Sequence, residues 1–257
     1  MATPEEEQIQ LSRIGNVCII TFTGKPHKAN VFTMALLKRL DALLDQVEDQ
    51  HMPCSLVFTG SGRFFSAGFD LQALTGTPHN SKQKSSSSNG AATSSQDLVN
   101  FAWLVLARIL IFPAPTFALF NGHAFGLGLF LGLACDHRWM VNDKKKAFLC
   151  LPEINIGLPL GFGFAALARC KLNKSALKIA ALTGKQIAAQ EALELGMIDA
   201  ILPPSNGQGG SLPQEILERA EKLVSTSEKG NLKAIKMEIY GETYSDLLAP
   251  TQKRSKL

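Results

Sequence analysis

The chain reads Phe64-Phe65-Ser66-Ala67-Gly68-Phe69-Asp70 shortly after the apolar run 55–59, and Asn121-Gly122-His123-Ala124-Phe125-Gly126-Leu127-Gly128 directly after the apolar run 115–120. Each apolar run predicts a β-strand, and each glycine-bearing stretch predicts a tight turn that leads into a helix. Helix entrances leave backbone N–H groups free, and these groups favour negative charge. Two such turns side by side would form an oxyanion hole, so the pair predicts chemistry on a carbonyl oxygen that becomes negative.

Length and composition limit the class of protein. The 257 residues fit one large domain, or a core domain with a smaller appendage. The net charge is only +4, and outside 144–146 and the tail there is no dense basic cluster, so we expect no nucleic-acid partner. The five cysteines lack paired spacing and lie among apolar neighbours, which predicts reduced core thiols. The histidines show no metal-ligand spacing, so we expect no metal site.

Two segments bear on targeting. The run from Thr116 to Ala134 is almost free of charge, but Asn121, His123 and several glycines divide it into pieces too short for a membrane span. The acidic start of the chain has no apolar segment, so we expect no secretory or mitochondrial signal. The last three residues, Ser255-Lys256-Leu257, match the receptor-read peroxisomal address, which predicts import into the peroxisome.

The order of predicted elements indicates an α/β protein. A strand at 17–23, a helix at 33–50 capped by Thr33, and a strand at 55–59 form β-α-β units with right-handed crossovers. The segment 75–96 is rich in Ser, Asn, Gly and Thr and predicts a mobile loop within the domain. Further helices are predicted at 97–111, within 161–196, at 212–227 and at 231–248.

Five landmarks in series make the chain resemble the crotonase superfamily, which includes the enoyl-CoA hydratases and isomerases. They are the two turns, then Cys135-Asp136, Leu151-Pro152-Glu153-Ile154-Asn155-Ile156-Gly157-Leu158, and Leu182-Thr183-Gly184-Lys185 with Ala192-Leu193-Glu194-Leu195-Gly196-Met197-Ile198-Asp199. The resemblance implies a mixed α/β (α+β) fold, with a crotonase-like spiral of ββα units over 1–196 and a helical trimerisation region over 197–257. It also implies an acyl-CoA substrate, a homotrimer or a dimer of trimers, and no separate cofactor, because CoA is part of the substrate.

The resemblance also assigns the site. The two oxyanion donors map onto the backbone N–H groups of Phe69 and Leu127. Hydratases use two glutamates; the second matches Glu153, whereas the first matches Phe130, which cannot exchange a proton. The residues expected to bind substrate are Ser66, Ala67, Gly68, Asp70, Leu71, Gly126, Phe130 and Leu158.

One carboxylate beside a thioester enolate suits a double-bond shift, in which the same group removes a proton at C2 and returns it at C4. The leading hypothesis is therefore a Δ3,Δ2-enoyl-CoA isomerase with Glu153 as the base. Alternatives are a hydratase or an acyl-CoA hydrolase of the same fold, and a catalytically silent acyl-CoA-binding protein. Structural roles are expected for the side chains of Asp70 and Asp136, and for His123.

Overall fold

A computed structural model of the chain describes residues 8–24, 29–50, 52–70, 74, 94–142, 147–203 and 212–249. Twelve strands lie in these residues: β1 Ile9–Ile14, β2 Val17–Phe22, β3 Val31–Phe32, β4 Ser55–Gly60, β5 Phe64–Ser66, β6 Gly68–Phe69, β7 Thr116–Phe120, β8 His123–Phe125, β9 His137–Val141, β10 Phe148–Cys150, β11 Ile187–Ala188 and β12 Ala200–Leu202.

Three sheets form from these strands. The main sheet has the order β1-β2-β4-β7-β9-β12, in which β1 pairs antiparallel with β2 and the other neighbours run parallel. A second sheet has the order β11-β10-β8-β5, with β10, β8 and β5 parallel to one another. Strands β3 and β6 form a short parallel pair.

Eight helices lie in the described residues: α1 Met34–Asp49, α2 Ser95–Leu110, α3 Leu127–Ala134, α4 Phe162–Lys171, α5 Lys174–Thr183, α6 Ala189–Glu194, α7 Gln214–Glu228 and α8 Leu232–Leu248. Thr33 caps α1 as predicted, since its hydroxyl accepts from the Leu36 N–H at 3.1 Å. Helix α2 begins two residues earlier than predicted because Ser94 and Asp97 form a reciprocal capping box. The other predicted helices are confirmed, although β11 interrupts 161–196.

The chain alternates between the two large sheets. Strand β4 of the main sheet is followed by β5 of the second and then by α2; β7, β8 and α3 repeat the pattern. This ββα repetition confirms the predicted fold class. It also divides the uncharged run at 116–134 into two strands and one helix. Among the described helices, none has both the length and the apolar composition that crossing a membrane requires.

The sheets and helices enclose a large apolar core. Cys18, Cys54, Cys135 and Cys150 are buried free thiols in agreement with the prediction. Cys170 is exposed, so that part of the prediction was wrong; Cys170 lies in the last turn of α4 between Arg169 and Lys171, where the helix turns this position outward.

The C-terminal helices pack on the sheets and helices that precede them. Helix α7 covers β2 and β4, where the Ser55 hydroxyl donates to the Ala220 carbonyl at 2.7 Å. Helix α8 packs against α2 and α4. The division of the chain at residue 196 stays a prediction, and residues 75–93 of the predicted mobile loop lie outside the described residues.

Candidate active site

Three parallel strands of the second sheet end at one edge, and each leads into a segment singled out in the sequence. Strand β5 leads into the first turn, β8 into the second turn, and β10 into a 3-10 turn at Glu153–Ile156. Because parallel neighbours share their direction, the segments that continue from their carboxyl ends gather in one place. The Gly126 N–H donates to the Cys150 carbonyl at 3.0 Å, which fixes the second turn against the end of β10.

The first turn packs directly against the second. Gly68 has φ +92°, and a β-carbon there would lie 2.8 Å from the Phe125 carbonyl oxygen and 3.4 Å from the Leu127 nitrogen. Only glycine permits both this conformation and this approach. The Asp70 N–H donates to the Phe32 carbonyl at 3.2 Å. Because successive N–H groups of an extended strand point to opposite sides, the Phe69 N–H faces away from β3.

The second turn is the entrance to α3. The first bond within this helix runs from the Phe130 N–H to the Gly126 carbonyl at 3.0 Å. The N–H groups of Leu127, Gly128 and Leu129 precede that bond, and no side chain in the described part of the chain caps the helix. They therefore present a cluster of donors at the positive end of the helix dipole. The Leu127 side chain is buried in the core, which leaves its N–H as the group offered at the entrance.

Glu153 brings a carboxylate to this entrance. A β-carbon on Gly126 would lie 3.3 Å from Glu153 Oε1, so the absence of a side chain at Gly126 gives the carboxylate its room. The other oxygen, Oε2, is buried and has no hydrogen-bond partner among the described residues. Burial raises the pKa of Glu153, and a hydrogen bond from its own backbone N–H opposes that rise. A carboxylate in this state is suited to hold and release a proton.

An aromatic cluster lies beside the donors, with the Phe164 ring at its centre. This ring stacks on Phe130, with centroids 4.5 Å apart, and meets the edges or faces of Phe69 at 6.0 Å and Trp103 at 5.8 Å. Phe130 itself is fully buried. The cluster supplies an apolar wall next to Phe69, one of the two proposed donors, and it fills the position where the resemblance places a hydratase's other glutamate.

A family model described as enoyl-CoA hydratase/isomerase matches residues 13–254. The chain belongs to this family. An Arabidopsis thaliana protein named enoyl-CoA delta isomerase 2, peroxisomal, is 35% identical over 74% of this chain and 75% of its own length. Enoyl-CoA delta isomerase 3 of the same plant is 34% identical over the same shares. A Bacillus subtilis (strain 168) protein named probable enoyl-CoA hydratase is 31% identical over 81% of this chain and 71% of its own length.

Solved structures confirm the family's fold. A Mycobacterium tuberculosis protein, named an enoyl-CoA isomerase in one structure and a probable enoyl-CoA hydratase in another, superimposes in its apo form with a TM-score of 0.76, covering 96% of this chain and 97% of that chain at 23% identity. An enoyl-CoA hydratase of Bacillus halodurans gives a TM-score of 0.75, covering 96% and 91% at 20% identity. Isomerase and hydratase thus share this fold, and the choice between them depends on the site residues.

The other residues that the family resemblance singled out lie around the carboxyl ends of β5, β8 and β10. The Ser66 hydroxyl is fully buried and is bonded within the turn, so it faces the protein. The Ala67 N–H donates to the Ala29 carbonyl at 2.8 Å, and the Asp70 carbonyl accepts from the Leu74 N–H. The Leu158 N–H donates to the Glu153 carbonyl at 3.0 Å and closes the turn that carries the base. Leu71 lies outside the described residues.

His123 has the structural role that the sequence predicted. Its Nδ1 accepts from the Phe148 N–H at 3.2 Å, and a backbone amide can only donate, so Nε2 carries the proton. Arg63 Nε lies 3.3 Å from Nε2 on the other side of the ring. Burial, with Arg63 nearby, lowers the pKa of His123 and keeps the ring neutral. The ring holds β10 beside β8.

Asp136 is also structural. Its Oδ2 accepts from the Thr116 N–H at 2.8 Å, from the Thr116 hydroxyl at 3.0 Å and from Lys236 Nζ at 2.6 Å. These bonds join the starts of β7 and β9 to α8.

Sequence reasoning missed two residues at the site, Phe164 and Asn30. Phe164 lies in a predicted helical stretch, and its position between Phe130 and Phe69 depends on how α4 crosses α3. Asn30 has φ +50°, the only left-handed non-glycine residue among those described, and is buried behind the first turn. Nothing in the sequence around Asn30 indicates that it lies at the site. The one property that could have suggested a special backbone position is the tolerance of Asn for the left-handed conformation.

Proposed function

We propose that this protein is a Δ3,Δ2-enoyl-CoA isomerase, which converts 3-enoyl-CoA to 2-trans-enoyl-CoA in fatty-acid β-oxidation. One observation carries the proposal: the Glu153 carboxylate, with Oε2 buried and without a partner among the described residues, lies at the entrance of α3 while Phe130 fills the place of a second acid. A single base can move a proton within one substrate, whereas hydration needs one group to activate water and another to protonate carbon.

The proposed reaction has two proton transfers. Glu153 takes a proton from C2, the C2–H electrons form a bond between C2 and C1, and the thioester oxygen becomes an enolate. Electrons then return from the oxygen to re-form the carbonyl, the C1–C2 double-bond electrons form the C2–C3 double bond, and the C3–C4 double-bond electrons take the same proton from the protonated Glu153 at C4, which restores the carboxylate. No atom is gained or lost, so no water and no cofactor take part.

The N–H groups of Phe69 and Leu127 are the proposed donors to the enolate oxygen. Removing one such donor from other oxyanion holes costs ~3–4 kcal/mol of transition-state stabilisation. The stabilisation that these donors give the enolate is larger where water is excluded, and the aromatic cluster around Phe164 supports that exclusion. General base action by Glu153 adds ~10²–10⁴-fold, and its raised pKa brings the group closer to the operating pH.

Two relatives named delta isomerases support the isomerase over the hydratase, and the word peroxisomal in the name of one supports the proposed location. We propose import through the peroxisomal receptor by Ser255-Lys256-Leu257.

We also propose a homotrimer, or a dimer of trimers. Ile154, Ile156 and Phe162 are large apolar residues between 41% and 52% exposed on and beside the Glu153 turn, and subunit contacts would cover such residues. Sedimentation of the purified protein tests the oligomer.

The deciding assay uses cis- and trans-3-hexenoyl-CoA as substrates and monitors the conjugated product by its ultraviolet absorbance. We expect Glu153→Gln to lower kcat by ~10²–10⁴-fold. Glu218→Gln is the matched control, because Glu218 is an exposed residue of α7 and contacts Gln214. Full turnover by Glu153→Gln would overturn the one-base mechanism.

Crotonyl-CoA tests the alternatives in the same preparation. Faster hydration of crotonyl-CoA than isomerisation of either hexenoyl-CoA would favour a hydratase, and release of free CoA would favour a hydrolase. Binding of acyl-CoA without any conversion would favour the silent protein.

A further inference from the structure

Asn30 lies behind the turn that carries the Phe69 donor. The residue is 6% exposed, and its backbone adopts the left-handed conformation with φ +50°. This conformation is strained for most side chains and is tolerated best by Gly, Asn and Asp. The chain therefore maintains an uncommon backbone conformation at a buried polar residue, next to β3.

The side-chain amide and the backbone carbonyl of Asn30 both form hydrogen bonds with the first turn. Its Nδ2 donates to the Phe64 carbonyl at 2.9 Å and to the Phe65 carbonyl at 3.1 Å, which uses both hydrogens of the amide. Its own carbonyl accepts from the Ser66 hydroxyl at 2.7 Å. The Ser66 oxygen in turn accepts from the Gly68 N–H at 3.0 Å. A continuous chain of bonds thus leads from Asn30 to the residue before Phe69.

Strands β5 and β8 pair through a β-bulge, and this bulge is the reason that the bonds from Asn30 are needed. Phe64 pairs with His123 and Ser66 with Ala124, so β5 has one more residue than β8 at Phe65. A bulge leaves ladder groups without strand partners and bends the chain beyond it. The Asn30 amide satisfies the carbonyls of Phe64 and Phe65 at this point, and so fixes the direction in which the turn continues.

The N–H groups on either side of Phe69 have partners in the protein. The Ala67 N–H donates to Ala29, the Gly68 N–H to Ser66, and the Asp70 N–H to Phe32. The alternation of an extended strand then leaves the Phe69 N–H on the opposite side. We infer that Asn30 is a positioning residue that, through Ser66, aims the Phe69 N–H at the substrate carbonyl oxygen.

The inference rests on the proposed use of this N–H as an oxyanion donor. A donor stabilises the enolate more than the ground-state carbonyl, so a displaced donor lowers kcat and leaves KM little changed. We expect Asn30→Gly to lower kcat by ~10-fold or more, because small displacements of a donor are costly. Glycine adopts φ +50° freely, so this variant removes the amide bonds without adding backbone strain.

Ser66→Ala is the second variant, since it removes one hydroxyl and almost no volume. We expect it to lower kcat in the same direction but less than Asn30→Gly. Asn173→Ala is the control: Asn173 caps α5 and bonds the Leu195 carbonyl at 2.7 Å, so its loss weakens the fold through similar bonds at a distance from the site. Its kcat should match that of the wild type.

A second measurement does not depend on turnover. Hexanoyl-CoA with ¹³C at the thioester carbonyl cannot isomerise, and difference infrared spectra report how strongly the bound carbonyl is polarised. We expect the wild type and Asn173→Ala to shift the carbonyl stretch to lower frequency, and Asn30→Gly and Ser66→Ala to shift it less.

The outcomes separate the two proposals. A wild type that polarises the carbonyl in an Asn30-dependent way, yet fails to convert 3-hexenoyl-CoA, would refute the isomerase and support the positioning role. A wild type that isomerises normally would refute the positioning role if Asn30→Gly and Ser66→Ala kept its kcat and its carbonyl shift. A change confined to KM, with the shift unaltered, would also refute it.

Discussion

Burial raises the pKa of Glu153, and under the proposed mechanism this one cause should affect both catalysis and stability. As a base it must be ionised, so kcat/KM for isomerisation should fall as pH drops through the raised pKa. The folded state holds this proton more tightly than the unfolded state does. Stability is therefore lost as pH rises from the ordinary value of 4.5 through the folded pKa, and activity and stability should change in opposite directions.

Glu153→Gln tests the predicted link between the burial of this carboxylate and the stability of the fold. The free energy of unfolding, measured in urea, should be higher for Glu153→Gln than for the wild type at pH 7, and the difference should vanish below pH ~4.5 because both side chains are then neutral. Glu218→Gln should show no such pH-dependent difference. A wild type that is more stable than Glu153→Gln at pH 7 would mean that the carboxylate is satisfied in the folded state.

The proposed oxyanion hole depends on the N-terminus of α3, and Leu127 is the first residue of this helix. Proline is tolerated at the first position of a helix, where the missing N–H has no helical partner. Gly126 has φ +48° and ψ −119°, the mirror image of the extended backbone that proline prefers before it. Leu127→Pro should thus retain the helix while removing one proposed donor.

Leu127→Ala provides the comparison, because it loses the buried side chain but keeps the N–H. We expect kcat on 3-hexenoyl-CoA to be lower for Leu127→Pro than for Leu127→Ala by ~10²–10³-fold. Far-ultraviolet circular dichroism checks that α3 and the rest of the fold persist. Equal kcat values for the two folded variants would remove Leu127 from the oxyanion hole.

The sequence predicted the long elements well and the short ones poorly. Helices such as α1 and α2 have leucines and other apolar residues at helical spacing, and β2 and β4 are continuous apolar runs. Strands β5, β8 and β10 have three residues each, too few for a period of two to appear. Yet these short strands bring the residues of the candidate site together. The family resemblance could therefore name those residues, but only the structure shows how they are arranged.

Buried hydrogen bonds of polar side chains connect parts of the chain that are far apart in sequence. Ser55 joins β4 to α7, and Lys236 joins α8 to the starts of β7 and β9. No sequence pattern indicates these links, because a Lys in a helix usually lies in solvent. Lys236 is 3% exposed, and its Nζ reaches the Ala114 carbonyl at 3.0 Å and Asp136 at 2.6 Å.

Lys236 should therefore matter far more to stability than an exposed lysine with an ion pair of the same length. Lys236→Met leaves the partly buried Asp136 carboxylate, whose side chain is 19% exposed, with the Thr116 groups as its only remaining described donors. Breaking one side of a fully buried pair costs ~3–5 kcal/mol, and we expect a loss toward the lower end of that range. Lys185 also lies 2.6 Å from a carboxylate, that of Glu191, but is 52% exposed. Lys185→Met should cost less than ~1 kcal/mol, because water and salt screen that pair. Urea unfolding measures both changes, and equal losses would show that α8 is held by its apolar contacts with α2 and α4 alone.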